Sequence, residues 1–243
     1  MDIAEYSIVL LPGLDGTGKL FTPLVDSFPK RITPIVISYP CHQRKTYEEL
    51  KEIVMLSLPH DLPFFILGES FSGPLSVMIA NERPEGLMGL ILCATFIKNP
   101  FVPFTSWMKI FSVGPIYRLW PALIDLRARI GGRDFRGIAD LALEAIELVN
   151  PDVIAHRVKS ILSVNVENEL RSCPYPVLYL MAGRDKLVRK HNFKKIKSVN
   201  EDIELAIIDT LHFVLQLEPQ KASEILVEYM DKIMKEKGEI IAI

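Results

Sequence analysis

The sequence predicts an α/β protein in which a mostly parallel sheet of about six strands carries helices on both faces. Short apolar runs of strand character alternate with stretches of helical spacing, as in repeated βαβ units. The chain has 243 residues, of which 49% are hydrophobic, and a single domain of this length can bury a large core. The alternation is interrupted only once, by a long segment of helical character.

Hydrophobic patterning places each element in turn. Apolar, β-rich runs predict strands near residues 6–11, 32–38, 63–68, 87–94, 176–182 and 203–208. Between and after them, helical spacing predicts helices over roughly 19–28, 46–58, 71–82, 188–197 and 219–236. The last of these begins after Pro219 and repeats apolar residues on one face, which predicts that this face is buried.

The interrupting segment, residues 96–171, is too long to be a connecting loop. It contains helical patterns at 138–148 and 153–164. We therefore expect a helical cap, or lid, over the C-terminal edge of the sheet. On this reading residues 1–95 and 172–243 form the core domain.

The first half of the predicted cap is rich in aromatic residues, including Trp107, Phe111 and Trp120. These side chains either form the core of the cap itself or line an apolar pocket for an acyl group, since small-molecule pockets are mostly hydrophobic. The sequence leaves both readings open.

Charge and cysteine content exclude several classes of protein. A formal net charge of −2 and dispersed basic residues indicate no nucleic-acid partner. Three widely separated cysteines, Cys41, Cys93 and Cys173, predict neither a disulfide framework nor a metal site, and they favour a cytoplasmic location. Residues 1–5 lack the basic region of a signal peptide, and no apolar run is long enough for a membrane anchor. No metal or cofactor is expected, and no oligomeric state is predicted.

Residues 68–73, Gly-Glu-Ser-Phe-Ser-Gly, lead from a buried strand pattern directly into a helical one. A nucleophilic serine on a sharp strand-to-helix turn needs small flanking residues, because the two backbones approach closely there. Gly68 is one such residue, whereas the position two after Ser70 is Ser72 rather than the usual glycine. By itself the motif also fits an ordinary loop serine. Ser72 is the weaker nucleophile candidate, because that register would put a proline at a small-residue position.

Polar residues also follow three other predicted strands. A glycine-rich turn at residues 12–18 follows the first strand, Asp185 follows the fifth, and Asp209 and His212 follow the sixth. The carboxyl ends of parallel strands share one edge, where ligands and catalytic residues gather. Asp185 and Asp209 are both candidate acid partners of His212.

Together these four segments resemble the α/β-hydrolase superfamily, in which a catalytic serine, acid and histidine follow one another in that chain order. The glycine-rich loop is also similar to that of small bacterial esterases and of the hydrolase-like domains of plant phytyl ester synthases. One departure is Pro12, which stands where many members carry histidine.

The resemblance implies a triad of Ser70, Asp185 and His212, with the backbone N–H groups of Leu14 and Phe71 as an oxyanion hole. Asp15 either lines the pocket or caps the helix that follows. The implied function is a serine hydrolase that cleaves a small-molecule carboxylic ester or thioester with an apolar acyl or alkyl group. An acyltransferase with the same triad and a non-catalytic ligand-binding protein of this fold are the alternatives.

Overall fold

The computed structural model describes residues 6–100 and 133–241. Its centre is a six-stranded sheet with the order β2-β1-β3-β4-β5-β6. Every pairing between neighbouring strands is parallel, as predicted. The strands are β1 (Tyr6–Leu11), β2 (Ile32–Val36), β3 (Phe64–Glu69), β4 (Leu87–Cys93), β5 (Val177–Ala182) and β6 (Glu204–Ile208).

Helices connect these strands and cover both faces of the sheet. They are α1 (Thr22–Val25), α2 (Tyr47–Met55), α3 (Ser72–Asn81), α4 (Arg133–Glu147), α5 (Pro151–Ser163), α6 (Glu167–Arg171), α7 (Lys190–Val199), α8 (Val214–Leu217) and α9 (Pro219–Ile241). The helix predicted at 19–28 is instead a 3₁₀ turn, Lys19–Phe21, followed by the short α1. Pro23 lies in the first turn of α1, where proline is tolerated, and Pro29 follows shortly after its end. The position before a proline disfavours helix, so α1 does not continue to residue 28.

The core lies in two layers, one on each face of the sheet. Alternate residues of a strand point to opposite faces, so Val9 and Leu11 join one cluster while Ile8 and Leu10 join the other. Because helices cover both faces, the central strands are buried throughout and read as continuous apolar runs in the sequence.

The order of the strands creates a crevice at the carboxyl edge of the sheet. From β1 the chain first moves outward to β2, and it then crosses back to β3 on the other side of β1. At such a switch point the loops after the two central strands diverge to opposite faces. The glycine-rich loop after β1 and the turn after β3 flank this crevice, and Leu11 and Gly68 are register partners.

The predicted cap segment, residues 96–171, leaves and rejoins the core at one place. Lys98 and Asn165 form an isolated antiparallel bridge, and the Val166 N–H donates to the Ile97 carbonyl at 2.8 Å. Leu170, in α6, packs into the main core. The division into core and cap stays a prediction. Among the described helices, none is both long and apolar enough to cross a membrane.

Candidate active site

Ser70 lies on the turn between β3 and α3 with a backbone φ of 50°. A non-glycine residue in this left-handed region is uncommon and needs support from its surroundings. That support comes from the end of β4: the Ser70 N–H donates to the Cys93 carbonyl at 2.9 Å, and the Thr95 hydroxyl donates to the Ser70 carbonyl. The turn holds the partly exposed Ser70 side chain at the edge of the crevice.

Glycines permit the close approach of strand and helix on either side of Ser70. A Cβ atom at Gly68 would lie 2.5 Å from the Ser72 carbonyl oxygen, and one at Gly73 would lie 2.0 Å from Thr95 Oγ1. Larger side chains at these positions would therefore force the turn apart. Such a turn is the local geometry of a nucleophile elbow.

The hydrogen bonds of Ser72 explain why this position holds serine and not the usual glycine. Its side chain is fully buried, and its hydroxyl donates to the Pro12 carbonyl in the glycine-rich loop. The Tyr39 hydroxyl lies 2.7 Å from the Ser72 hydroxyl oxygen. Since the Ser72 proton is directed at Pro12, Tyr39 is the donor in this second bond. Ser72 thus joins the elbow to the loop, and this buried, occupied hydroxyl is not available as a nucleophile.

The structure brings Ser70, His212 and Asp185 together, although the sequence separates them widely. His212 Nε2 lies 3.0 Å from Ser70 Oγ, and His212 Nδ1 lies 2.7 Å from Asp185 Oδ2. The other carboxylate oxygen, Oδ1, accepts the N–H groups of Leu187 and Val188 at 2.8 and 2.9 Å. These bonds orient the carboxylate, which in turn orients the imidazole toward the serine.

Asp209, the alternative acid, points away from this group. Its side chain is 83% exposed and lies 3.4 Å from Nε of Arg184. Asp185, by contrast, has a side chain that is only 4% exposed. The remaining histidines occupy other surroundings: His42, His60 and His191 are exposed, and His156 lies on α5.

The two predicted oxyanion donors belong to segments that adjoin Ser70. Phe71 is the N-cap residue of α3, where N–H groups have no acceptor within the helix. Tyr47 fixes Phe71 by donating to its carbonyl at 2.8 Å and by stacking on its ring. Leu14 lies in the glycine-rich loop, which approaches the serine so closely that a Cβ at Gly13 would be 3.9 Å from Ser70 Cβ.

Asp15 stabilises the turn that contains it. Its Oδ2 atom accepts bonds from the Thr17 N–H and the Thr17 hydroxyl at 2.8 and 2.6 Å. The following 3₁₀ turn has Gly18 as its N-cap and receives no side-chain cap. The expectation that Asp15 caps the next helix is therefore wrong, because its carboxylate reaches only two residues ahead. The residue as a whole is 5% exposed.

Glu69, which sequence analysis did not single out, is a buried carboxyl group directly before Ser70. Its Oε1 atom accepts a 3.0 Å hydrogen bond from Gln216 Nε2 of α8. Burial raises the pKa of Glu69 to about 7, and the nearby Asp15 charge adds to this, whereas Gln216 and His212 oppose it. An acidic residue at the end of an otherwise apolar strand was the available signal.

The predicted pocket residues Trp107, Phe111 and Trp120 lie outside the described residues. Within residues 6–100 and 133–241, no group of three or more histidine, cysteine or acidic side chains could hold a metal ion.

Solved structures of esterases share the architecture of this chain. A carboxylesterase of the thaumarchaeon Nitrososphaera gargenis superposes with a TM-score of 0.78 at 18% identity, covering 96% of this chain and 92% of that one. A thermophilic esterase from Thermogutta terrifontis has a TM-score of 0.77 at 14% identity, with 95% and 91% covered. A lipase-esterase related protein from Clostridium acetobutylicum has a TM-score of 0.73 at 16% identity, with 93% and 94% covered.

No protein-family profile and no curated protein sequence matches the chain. The structural likeness nevertheless extends over nearly the full length of these proteins and includes the parallel sheet with helices on both faces. The chain has the α/β-hydrolase fold.

Proposed function

We propose that this protein is a serine hydrolase that cleaves a small-molecule carboxylic ester or thioester through an acyl-enzyme on Ser70. The observation that carries the proposal is the continuous chain of contacts from Ser70 Oγ to His212 at 3.0 Å and from His212 to Asp185 at 2.7 Å. Both distances lie within the range for proton transfer between a nucleophile, its base and the group that orients the base.

In the first half of the reaction, Ser70 Oγ attacks the acyl carbonyl carbon while its proton passes to His212 Nε2. The bond from the carbonyl carbon to the leaving oxygen or sulfur then breaks, and the leaving group takes the proton from Nε2. Asp185 stabilises the imidazolium that exists between these two transfers. The product of this half-reaction is an alcohol or thiol, with the acyl group bound to Ser70.

In the second half, water attacks the acyl-enzyme and gives a proton to His212 Nε2. The bond between the acyl carbon and Ser70 Oγ breaks, the serine regains its proton, and the free acid leaves. In both halves the negative charge that develops on the carbonyl oxygen is stabilised by the N–H groups of Phe71 and Leu14. Fixed donors are effective here because they need no rearrangement when the charge appears.

We further propose that the cap segment closes over this edge and that its aromatic residues favour an apolar acyl or alkyl group. The esterases among the similar structures support an ester substrate. The free cysteines Cys41, Cys93 and Cys173 agree with a cytoplasmic location.

The test is a series of p-nitrophenyl esters of increasing chain length, hydrolysed by the native protein and by Ser70→Ala. We expect the native protein to release free acid and to be labelled on Ser70 by a fluorophosphonate. Ser70→Ala should lose both properties, whereas Ser57→Ala, on an exposed turn, should keep them. Equal turnover by the native protein and Ser70→Ala would refute the proposal.

A further inference from the structure

Arg157, on the cap helix α5, reaches into the glycine-rich loop beside the candidate active site. Its side chain is buried, with 2% of the residue exposed. Nη1 donates to the carbonyls of Leu14 and Asp15 at 3.0 and 2.6 Å, and Nη2 donates to the carbonyl of Pro40 at 3.2 Å. One guanidinium group therefore holds two successive carbonyls of the loop and a third from the segment after β2.

The loop is shaped to admit this side chain. A Cβ atom at Gly16 would lie 2.4 Å from Arg157 Nη1, so only glycine leaves the necessary space. The guanidinium carbon also lies 5.6 Å from the centre of the Tyr39 ring, within the range of a cation–π contact. Tyr39 is the same residue that donates to Ser72, so the contacts of Arg157 extend to the elbow.

Apolar packing brings the same helix against the same loop. Val153, Ile154, Ala155 and Val158 of α5 belong to a buried cluster, and the Leu14 side chain packs against it. Leu14 is thus held by helix α5 through its side chain and through its carbonyl. Removing a guanidinium from water is costly, and that burial lowers the pKa of Arg157. A buried cation used to bind main-chain carbonyls implies that their placement matters.

We propose that Arg157 is a positioning residue that fixes the loop backbone at residues 14–16 so that the Leu14 N–H faces the carbonyl oxygen of the substrate. This inference rests on the proposed function. Glycine at positions 13 and 16 gives the loop backbone great conformational freedom. Within the loop, the Gly16 N–H donates to the Gly13 carbonyl at 3.1 Å and the Asp15 carboxylate accepts from Thr17. From outside the loop, the Tyr39 N–H donates to the Gly16 carbonyl at 2.7 Å, and the planar fork of Arg157 restrains the two preceding carbonyls, those of Leu14 and Asp15.

The proposal predicts different effects for Arg157, which belongs to helix α5, and for Arg44, which contacts that helix. Arg44 binds Asp152, at the start of α5, in an exposed ion pair of 3.1 Å, so Arg44→Ala is the matched control. Arg157→Ala should lower kcat on the best p-nitrophenyl ester by about tenfold to a hundredfold, with little change in KM. Arg157→Lys should also lower kcat, because one ammonium group cannot span three carbonyls. Arg44→Ala should behave like the native protein.

Added methylguanidinium should restore part of the kcat of Arg157→Ala, since a small cation can occupy the vacated site. It should have no such effect on Arg157→Lys, in which the lysine stem fills that space. A folded Arg157→Ala protein with native kcat would overturn the proposal. If Arg157→Ala does not fold, native kcat in Arg157→Lys would overturn it equally.

Hydrogen exchange provides a readout that does not depend on turnover. The amides of residues 13–18 should exchange faster in Arg157→Lys than in Arg44→Ala, while those of helix α3 should stay protected. Unchanged exchange in the loop would contradict the positioning role. Failure of the proposed function would be distinguishable, because the native protein would then show no turnover that depends on Ser70, whatever the exchange result.

Discussion

The hydroxyl groups of Tyr39 and Ser72 share a buried hydrogen bond of 2.7 Å, which joins the segment after β2 to the helix that follows Ser70. Ser72 also connects this pair to the glycine-rich loop after β1, because its own hydroxyl donates to the Pro12 carbonyl. Three segments that surround the candidate site therefore meet at one serine hydroxyl.

Ser72→Ala should lower the free energy of unfolding by about 1–3 kcal/mol, because it leaves both the Tyr39 hydroxyl and the Pro12 carbonyl buried without this partner. Tyr39→Phe should cost less, about 0.5–1.5 kcal/mol, since Ser72 keeps its bond to Pro12. Urea denaturation measures both values. Ser57→Ala, whose hydroxyl bonds to the Ile53 carbonyl at an exposed position, is the control. Equal losses in Ser72→Ala and Ser57→Ala would argue against this account of the bond.

Two glycine substitutions should change stability in opposite directions. A methyl group at Gly68 would meet the Ser72 carbonyl and Ser76 Oγ, both at 2.5 Å, so Gly68→Ala should destabilise the protein by about 1–3 kcal/mol. At Gly238, in helix α9, a methyl group would meet no atom within 4 Å. Gly238→Ala should therefore raise stability by about 0.5–1 kcal/mol through helix propensity. Thermal unfolding tests the difference, and a shift of the same sign in both variants would contradict it.

Glu69 should make the stability of the protein depend on pH. Its pKa is about 7 in the folded protein against an ordinary value of 4.5, so the folded state binds more protons than the unfolded state between these values. The free energy of unfolding should consequently fall as pH rises through this window, by about 3 kcal/mol in total for a shift of this size.

Glu69→Gln should remove this contribution. The variant should gain stability relative to the native protein as the pH is raised from below 4.5 to above about 7. Urea denaturation at several pH values gives the difference between the two proteins, in which the titration of other groups cancels. Glu52→Gln, at an exposed position of α2, is the control. A difference between native protein and Glu69→Gln that does not vary with pH would show that Glu69 titrates normally.

The two aspartates near His212 should have very different effects on turnover. Asp185→Asn keeps the shape of the side chain but removes the charge that orients and stabilises the imidazole, and we expect kcat to fall by about 10⁴-fold. Asp209→Asn should leave kcat nearly unchanged, because that side chain faces solvent. Ester hydrolysis under saturating substrate provides the measurement. A larger loss in Asp209→Asn would reverse the assignment.

Much of the fold could be predicted because strands that are buried on both faces appear in the sequence as short, continuous apolar runs. Ser70 and Asp185 follow the fully buried strands β3 and β5, which are apolar at nearly every position. His212 follows the edge strand β6, which is apolar in sequence although largely exposed. A short distance past a strand end is enough to place a side chain at the shared edge. Local patterns and one rule of sheet topology therefore predicted that these segments meet, and the family resemblance selected Asp185 rather than Asp209.

The roles of Arg157 and Glu69 could not be predicted in the same way. An arginine on an amphipathic helix normally marks the solvent face, and Arg157 is buried only because a loop more than a hundred residues earlier presents carbonyls to it. Glu69 likewise depends on Gln216, which comes from a distant helix. Contacts between side chains and distant backbone leave no periodic signal. The short α1 has a different cause: apolar spacing predicts helix as far as residue 28, whereas Pro29 disfavours helix at that end.

The bridge between Lys98 and Asn165 places the two ends of residues 99–164 next to each other, at about the 4.8 Å spacing of neighbouring strands. Because this segment leaves and rejoins the core at neighbouring positions, it can be exchanged for another without altering the path of the sheet. In this protein the exchange carries one condition. Any replacement segment must supply a group that binds the carbonyls of Leu14 and Asp15, as the guanidinium of Arg157 does.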